Sequence, residues 1–408
     1  MNDSPAVLVI GGGATGTGIA RDLALRGVEV LLVEREGLSS GASSRSHGLL
    51  HSGARYAEAN RVGAAECIVE NRVLRSIAGA CIRDTGGLFV QLADDDPDYF
   101  EEKRAACDAI GIETTLLSAA AARARVPGLS DEVERAMGVP DGVVYPSRLS
   151  AANAADAEAH GGFVRPHAPL EDLVVERGQV VKALIGGTVD AAVEPTYVVN
   201  ATGAWAGTIA SMADVDLGMA PSRGVMISVE YEGLGPALNR CRDPDDGDIV
   251  VPHDDEVVLG TTSVPVSDPD DYEEADWEVE TSVRECATML PPVADAPTVR
   301  TWWGVRPLYA PDEQASNRRG ISRGFTTVDH AADGVGNFAS IVGGKLTTYR
   351  QMAEAVSDHV CGELGVDAAC ETATRPLPGA DDPDRLDEFV AAYDGQGPTD
   401  ADVSGRRE

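Results

Sequence analysis

The sequence predicts an α/β chain. A parallel nucleotide-binding sheet is assembled from separate stretches of sequence, and an α+β domain with an antiparallel sheet is inserted between them. Three observations predict it. A glycine-rich turn lies between an apolar run and an amphipathic stretch at the N-terminus. A second strand-and-glycine unit lies near residue 200, and a third near residue 343. Between the second and third lie alternating apolar runs separated by acid-rich turns, the pattern of an antiparallel sheet.

The first unit carries the most information. Ala6 to Ile10 reads as a strand. It leads into Gly11-Gly12-Gly13-Ala14-Thr15-Gly16, an amphipathic helix to Arg26, and a second apolar run from Val28 to Val33 that ends on Glu34. Gly11 permits the sharp turn, Gly13 lets backbone N–H groups approach a pyrophosphate, and Gly16 lets the helix lie close to the strand. The helix N-terminus favours an anion, and Glu34 stands where a ribose hydroxyl is held. A Gly-rich turn without that role does not account for Glu34. The whole reads as a Rossmann-like dinucleotide site.

A small, polar loop follows, Gly37 to Gly53. Helical periodicity runs from Ala57 to about Ala80, with Glu66, Glu70 and Arg72 assigned to its polar side. Residues 88–92 read as a strand, and residues 98–125 as helix-forming, Ala-rich segments. Tyr197 to Asn200 is a buried strand that stops at Ala201-Thr202-Gly203, where a helix opens. Strands are expected at Val225–Tyr231, Ile249–Val251 and Val257–Gly260, and a helix at Thr348–Leu364. The expected domains are a discontinuous nucleotide-binding unit (1–87, 141–215 and 321–370), an inserted substrate or cap unit (88–140 and 216–320), and an acidic C-terminal tail (371–408). Within the tail, residues 384–393 read as a short helix and the last dozen residues as disordered.

Among dinucleotides, FAD is favoured over NAD. The loop Gly41-Ala42-Ser43-Ser44-Arg45-Ser46-His47-Gly48 suits a pyrophosphate and the underside of a flavin. Ala201-Thr202-Gly203 suits the adenine side. Gly343-Gly344 offers a third set of backbone donors.

Composition excludes several classes. Of 408 residues, 67 are acidic and 33 basic, a net charge of −34. Only Lys103, Lys182 and Lys345 are lysine; the other bases are arginine. The acids are spread along the chain, which points to a protein adapted to molar salt, where the Debye length falls to about 3 Å. Such a surface argues against a nucleic-acid partner. The seven cysteines form no CxxC pair and read as reduced, buried thiols; no zinc or iron–sulfur spacing is present and no metal is expected. No apolar run approaches eighteen residues, so no membrane span is expected, and because the N-terminus runs straight into the first strand no secretory leader is expected either. The expected location is cytoplasmic, or on the inner membrane face through partner subunits.

The segments GGGATGTGIARDLALRG, GASSRSHGLLHSGARYA, NRCRDPDDGDIVVPHDDEVVLGTTS, GVRPL, SRGF–TTVDH and GGKLTTYRQMAE together resemble FAD-dependent glycerol-3-phosphate dehydrogenases, most of all the large catalytic chain of the anaerobic, three-subunit type, over residues 5–378. HGLLHSGARY and GGKLTTYR are the sharpest motifs. The resemblance implies oxidation of sn-glycerol 3-phosphate to dihydroxyacetone phosphate, hydride transfer to flavin N5, and passage of electrons to quinone through partner subunits. The cysteine-rich C-terminal extension usual in that family has no counterpart in these 408 residues.

Candidate residues follow from the motifs. Cofactor contacts are expected from Gly11, Gly13, Ala14, Thr15, Gly16, Glu34, Arg35, Ser43, Ser44, His47, Gly48, Leu49, Ala201, Thr202, Gly203, Gly343, Gly344, Lys345, Leu346 and Thr347. His51 is the candidate base, since a neutral imidazole is available near its ordinary pKa of about 6.5; His47 and His253 are weaker candidates. Arg55, Tyr56, Arg306 and Arg323 are the candidate phosphate contacts, because a guanidinium matches phosphate oxygens two at a time. Lys345 is placed beside the flavin as a stabiliser of negative charge. Two alternatives stand beside this reading: an amine or amino-acid oxidase of sarcosine type, and a flavin-binding relay protein that is inactive alone.

Overall fold

The computed structural model describes residues 4–310 and 324–397. A six-stranded sheet forms its centre. In spatial order its strands are Phe325–Asp329, Phe338–Gly343, Tyr197–Asn200, Val7–Ile10, Val30–Val33 and Phe163–Arg165. Five run parallel, and Phe325–Asp329 closes one edge antiparallel. Parallel strands covered on both faces read as continuous apolar runs, and Val7–Ile10 and Val30–Val33 are buried at every position.

The two-residue period of a strand divides the core into two layers. Val7, Val9, Val30 and Leu32 pack under three helices, Ala14–Leu25, Pro146–Ala159 and Tyr349–Leu364, through Ile19, Leu23, Ala154, Ala353 and Val356. Leu8, Ile10, Leu31 and Val33 face the opposite way. They pack on a three-stranded antiparallel sheet (Leu170–Glu176, Gln179–Ile185, Ala191–Val193) and on the short helix Ala206–Ser211.

A second, nine-stranded sheet draws its strands from residues 87–139 and 222–306. Ser222–Glu230 pairs antiparallel with Glu256–Gly260 and with Thr298–Arg306, and Ile249–His253 pairs antiparallel with Glu256–Gly260. One of its faces, with Val225, Ile227, Val250 and Leu259, packs on the helix Asp276–Met289 through Cys286 and Met289. On its other face Ile249 and Val251 pack against Leu49 and Val143 of a small three-stranded sheet (Leu49–Leu50, Gly142–Val144 and Ile82–Arg83).

Two expectations are corrected. The helix read over 57–80 is shorter, Arg61–Ile77, and a 3-10 turn, Ala54–Tyr56, precedes it. Glu70 does not lie on its polar side: it is buried and paired twice with the buried Arg350 guanidinium (2.6 and 2.8 Å). Residues 371–397 pack on the rest of the chain, and the short helix read at 384–393 is Pro383–Ala392. Arg21 donates to the Arg375 carbonyl (2.9 Å), the helix Pro383–Ala392 buries Leu386, Arg148 pairs with Asp387 (2.7 Å), and Gln396 N–H donates to the Leu38 carbonyl (2.9 Å). The disorder expected of the last dozen residues concerns a segment of which 398–408 lie outside the described residues. Among the described residues no helix is long and apolar enough to cross a membrane.

Candidate functional site

The glycine turn places the start of the helix Ala14–Leu25 at the carboxyl end of the parallel strands. Gly11 has φ +108°, and Gly16 lies so close to it that a Cβ there would meet the Gly11 carbonyl oxygen at 1.8 Å. The helix starts from Gly13 with no side-chain cap and no acid in its first turn, a terminus suited to an anion. Ser43 Oγ accepts from Ala14 N–H (3.0 Å) and anchors the polar loop beside it. Glu34 accepts from the N–H groups of Gly12 (2.6 Å) and Glu36 (3.0 Å); burial pushes its carboxyl above the ordinary range, and these bonds pull it back.

A cavity of about 590 Å³ runs over this turn. At one end it is lined by Glu34, Arg35 and Trp205, in the middle by Gly11, Gly13, Ala14, Thr15, Ser43, Ala201, Thr202 and Gly203, and at the other end by Gly343, Gly344, Lys345 and Leu346. Gly343 and Gly344 have successive φ values of +77° and +73°, which glycine adopts freely, and the Gly344 N–H donates to the Gly324 carbonyl (3.0 Å). Arg35 closes the Glu34 end: it pairs twice with Asp270 (2.8 and 3.0 Å) and stacks 4.4 Å over Trp205, whose Nε1 also donates to Asp270.

A second cavity of about 520 Å³ shares Ala42, Arg45 and Val305 with the first. It is lined by His47, His51, Arg55, Tyr56, Asn60, Thr261, Thr262 and Arg306. Arg306 ends the strand Thr298–Arg306 and does not sit in a turn. Its guanidinium donates to the Arg223 and Thr262 carbonyls (3.2 and 2.9 Å) and to Thr261 Oγ1 (3.0 Å), which fixes its plane. Arg55 lies 3.5 Å from the buried carboxylate of Asp248, which Arg242 also holds at 2.9 Å. Burial pushes the Asp248 carboxyl up and both guanidiniums lower it. The His51 ring lies 5.4 Å from Tyr56 and 6.1 Å from His47. Its backbone is held on both sides, the N–H by Thr347 Oγ1 (3.0 Å) and the carbonyl by Asn71 Nδ2 (3.2 Å).

Several of the expected cofactor contacts stand outside the first cavity. Gly16 and Ser44 are buried beside it, Ser44 within its own loop. Gly48 and Leu49 belong to a small sheet edge, where Leu49 pairs with Val143. His47 lines the second cavity instead, and its carbonyl accepts from the buried His253 Nε2 (2.9 Å). Thr347 is buried and meets His51. Arg323 lies outside the described residues.

Sequence reasoning passed over Arg45, which lines both cavities, and Asn60, Thr261 and Thr262, which line the second. Arg45 lies in the small polar loop, within GASSRSHG. The signal that marks it is Gly304, where a Cβ would meet the Arg45 carbonyl oxygen at 2.0 Å, so the loop docks directly on the strand.

Residues 6–350 match the family described as FAD dependent oxidoreductase. The chain belongs to that family. FAD is the cofactor of this oxidoreductase, and the carboxylate, helix terminus and paired glycines of the first cavity suit a dinucleotide. The oxidoreductase is 49% identical over 408 residues to the A1 subunit of anaerobic glycerol-3-phosphate dehydrogenase from Haloferax volcanii, covering 95% of this chain and 70% of that protein. It is 42% identical to the corresponding A-type chain of anaerobic glycerol-3-phosphate dehydrogenase from Escherichia coli K12, covering 94% and 71%. Its fold is that of the glycerol-3-phosphate dehydrogenase of Bacillus halodurans solved with FAD, with a TM-score of 0.70 at 24% identity over 92% of this chain and 68% of that one.

Proposed function

We propose that this oxidoreductase converts sn-glycerol 3-phosphate to dihydroxyacetone phosphate. The observation that carries this reading is the second cavity. In a chain of net charge −34, it is lined by Arg45, Arg55 and Arg306 together with His51, and it shares Ala42, Arg45 and Val305 with the FAD cavity. The names of its relatives, anaerobic glycerol-3-phosphate dehydrogenases, support the same substrate.

When bound, FAD supplies the acceptor for the hydride that leaves C2 of the substrate. The protein does the rest. His51 takes the proton of the C2 hydroxyl at an imidazole nitrogen, its backbone clamped by Thr347 and Asn71 so that the ring keeps its place. Arg306 and Arg55 hold the phosphate, and Arg323 joins them by its motif. A charge-assisted bond of this kind is worth about 1.5–3 kcal/mol. Lys345, which lines the first cavity with its ammonium near the Tyr56 ring of the second, offsets negative charge that develops at the cofactor end. Segments 1–87, 141–215 and 321–370 hold FAD, and segments 88–140 and 216–320 close over the substrate. Electrons then pass to quinone through partner subunits, which also provide attachment to the inner membrane face. The relatives are each named as one component of a larger enzyme, which supports such partners.

The test is anaerobic titration of the purified flavoprotein. The expected result is loss of the visible flavin band on adding sn-glycerol 3-phosphate, with no loss on adding sarcosine. A flavin that sarcosine bleaches and glycerol 3-phosphate does not would overturn the reading.

A further inference from the structure

We propose that Lys103 is a positioning residue that ties the inserted nine-stranded sheet to the turn carrying Arg55 and Tyr56, and so sets affinity for the phosphorylated substrate. The inference rests on the reading of Arg55 and Tyr56 as substrate contacts.

Lys103 belongs to the helix Pro97–Ile110 and is 1% exposed. Its ammonium donates to the Ala54 carbonyl (3.2 Å), one residue before Arg55, and to Glu58 (2.7 Å), two residues after Tyr56. Tyr99 donates its hydroxyl to the other Glu58 oxygen. The ammonium also lies 5.2 Å from the centroid of Phe89, on the nine-stranded sheet, and 5.1 Å from that of Tyr99. Phe89, Ala54, Phe100 and Met137 belong to one buried apolar cluster, with Tyr99 packed against it. The turn is thus gripped at both ends by one cation rooted in the inserted domain.

The choice of lysine supports this role. Thirty of the chain's 33 basic residues are arginine. This site offers two oxygen acceptors and two ring faces. A compact ammonium has three donors and fits it, whereas a guanidinium would bury N–H groups with no acceptor. A buried ion pair adds little stability by itself, since apolar residues of similar size usually serve as well. What the pair provides here is a fixed distance between the inserted sheet and the Arg55 turn.

The test uses the intact flavoprotein carrying K103M together with E58Q, which removes both charges and leaves neither partner stranded. Anaerobic rapid mixing with sn-glycerol 3-phosphate yields a dissociation constant and a limiting rate of flavin reduction. The expected result is a dissociation constant raised about tenfold, a limiting rate within about threefold of the parent, and unchanged FAD content. A folded, flavin-loaded variant with the parent's dissociation constant would overturn the proposal. If the double variant does not fold, E58Q alone serves: it keeps the Ala54 contact and loses the acid, so a smaller rise is expected and no rise overturns the proposal. A parent enzyme that glycerol 3-phosphate fails to reduce overturns the functional reading itself, whereas a reducible parent matched by its variant removes only Lys103.

Discussion

Lys345 Nζ stands 4.8 Å from the centroid of the Tyr56 ring. The two residues lie nearly three hundred positions apart in sequence, one lining the first cavity and the other the second, and His51 packs on the same ring. A ring face that attracts an ammonium fixes where that charge sits, at about 1–2 kcal/mol in a partly desolvated site. Tyr56→Phe keeps the face and Tyr56→Ala removes it. The difference between the two variants isolates the ring: kcat/KM for glycerol 3-phosphate should fall about tenfold from Phe to Ala, as read by steady-state assay.

Gly16 sets the distance between the first helix and the glycine turn. A methyl group there would lie 1.8 Å from the Gly11 carbonyl oxygen, and backbone cannot swing aside as a long side chain can. Gly16→Ala should cost at least about 3 kcal/mol, at the severe end of overpacking, and should lower the flavin content of the purified protein. Thermal melting and the ratio of flavin to protein absorbance check it. Gly27, where a Cβ would meet no atom within 4 Å, has φ +77°. Gly27→Ala should therefore cost only its backbone strain of about 1–2 kcal/mol and retain flavin.

His253 introduces a pH dependence. It is buried, and burial holds its pKa below the ordinary value of about 6.5. The unfolded chain therefore binds a proton that the folded one refuses. The contribution of His253 is complete above about pH 6.5 and is lost as pH falls below it. His253→Gln, which can still donate to the His47 carbonyl, should flatten the fall in melting temperature between about pH 6.5 and 5 relative to the parent. An identical slope in both proteins counts against this account.

The net charge of −34 predicts the response to salt. Raising ionic strength from about 0.1 to 1 M shortens the Debye length from about 10 to 3 Å and weakens repulsion among surface acids. The melting temperature should rise steadily over that range. The KM for the dianionic substrate has two opposed contributions, relief of long-range repulsion and screening at the arginines. It should change less than melting does, because the two contributions offset each other and carbonyls and a hydroxyl help to hold Arg306 in place.

Much of the central sheet was legible because its signals are local. The apolar runs Ala6–Ile10 and Val28–Val33 contain the strands Val7–Ile10 and Val30–Val33, and Gly11 is the turn that only glycine makes freely. Glu70 was misplaced because helical periodicity measures polarity alone. Its partner, Arg350, lies 280 positions away, and only the fold brings them together. Leu386 and Tyr393 disappear among acids in the sequence, yet both are buried against the helical layer. At the site, Glu34 and the glycines of the first cavity were readable from a short motif. The approach of Asp248 to Arg55 and of Thr347 to His51 was not, since each contact joins segments whose spacing carries no period.

The strand order of the central sheet has a consequence for biosynthesis. Val7–Ile10 waits for Tyr197–Asn200, and that strand waits for Phe338–Gly343. A ribosome delivers the N-terminal end first, at about 5–20 residues per second. The nascent glycine turn therefore exists for many seconds before the backbone of Gly343 and Gly344 emerges to complete the far wall. The wall that Gly343 and Gly344 supply is thus the last part of the first cavity to be made, whereas the strands of the nine-stranded sheet have all emerged by residue 306.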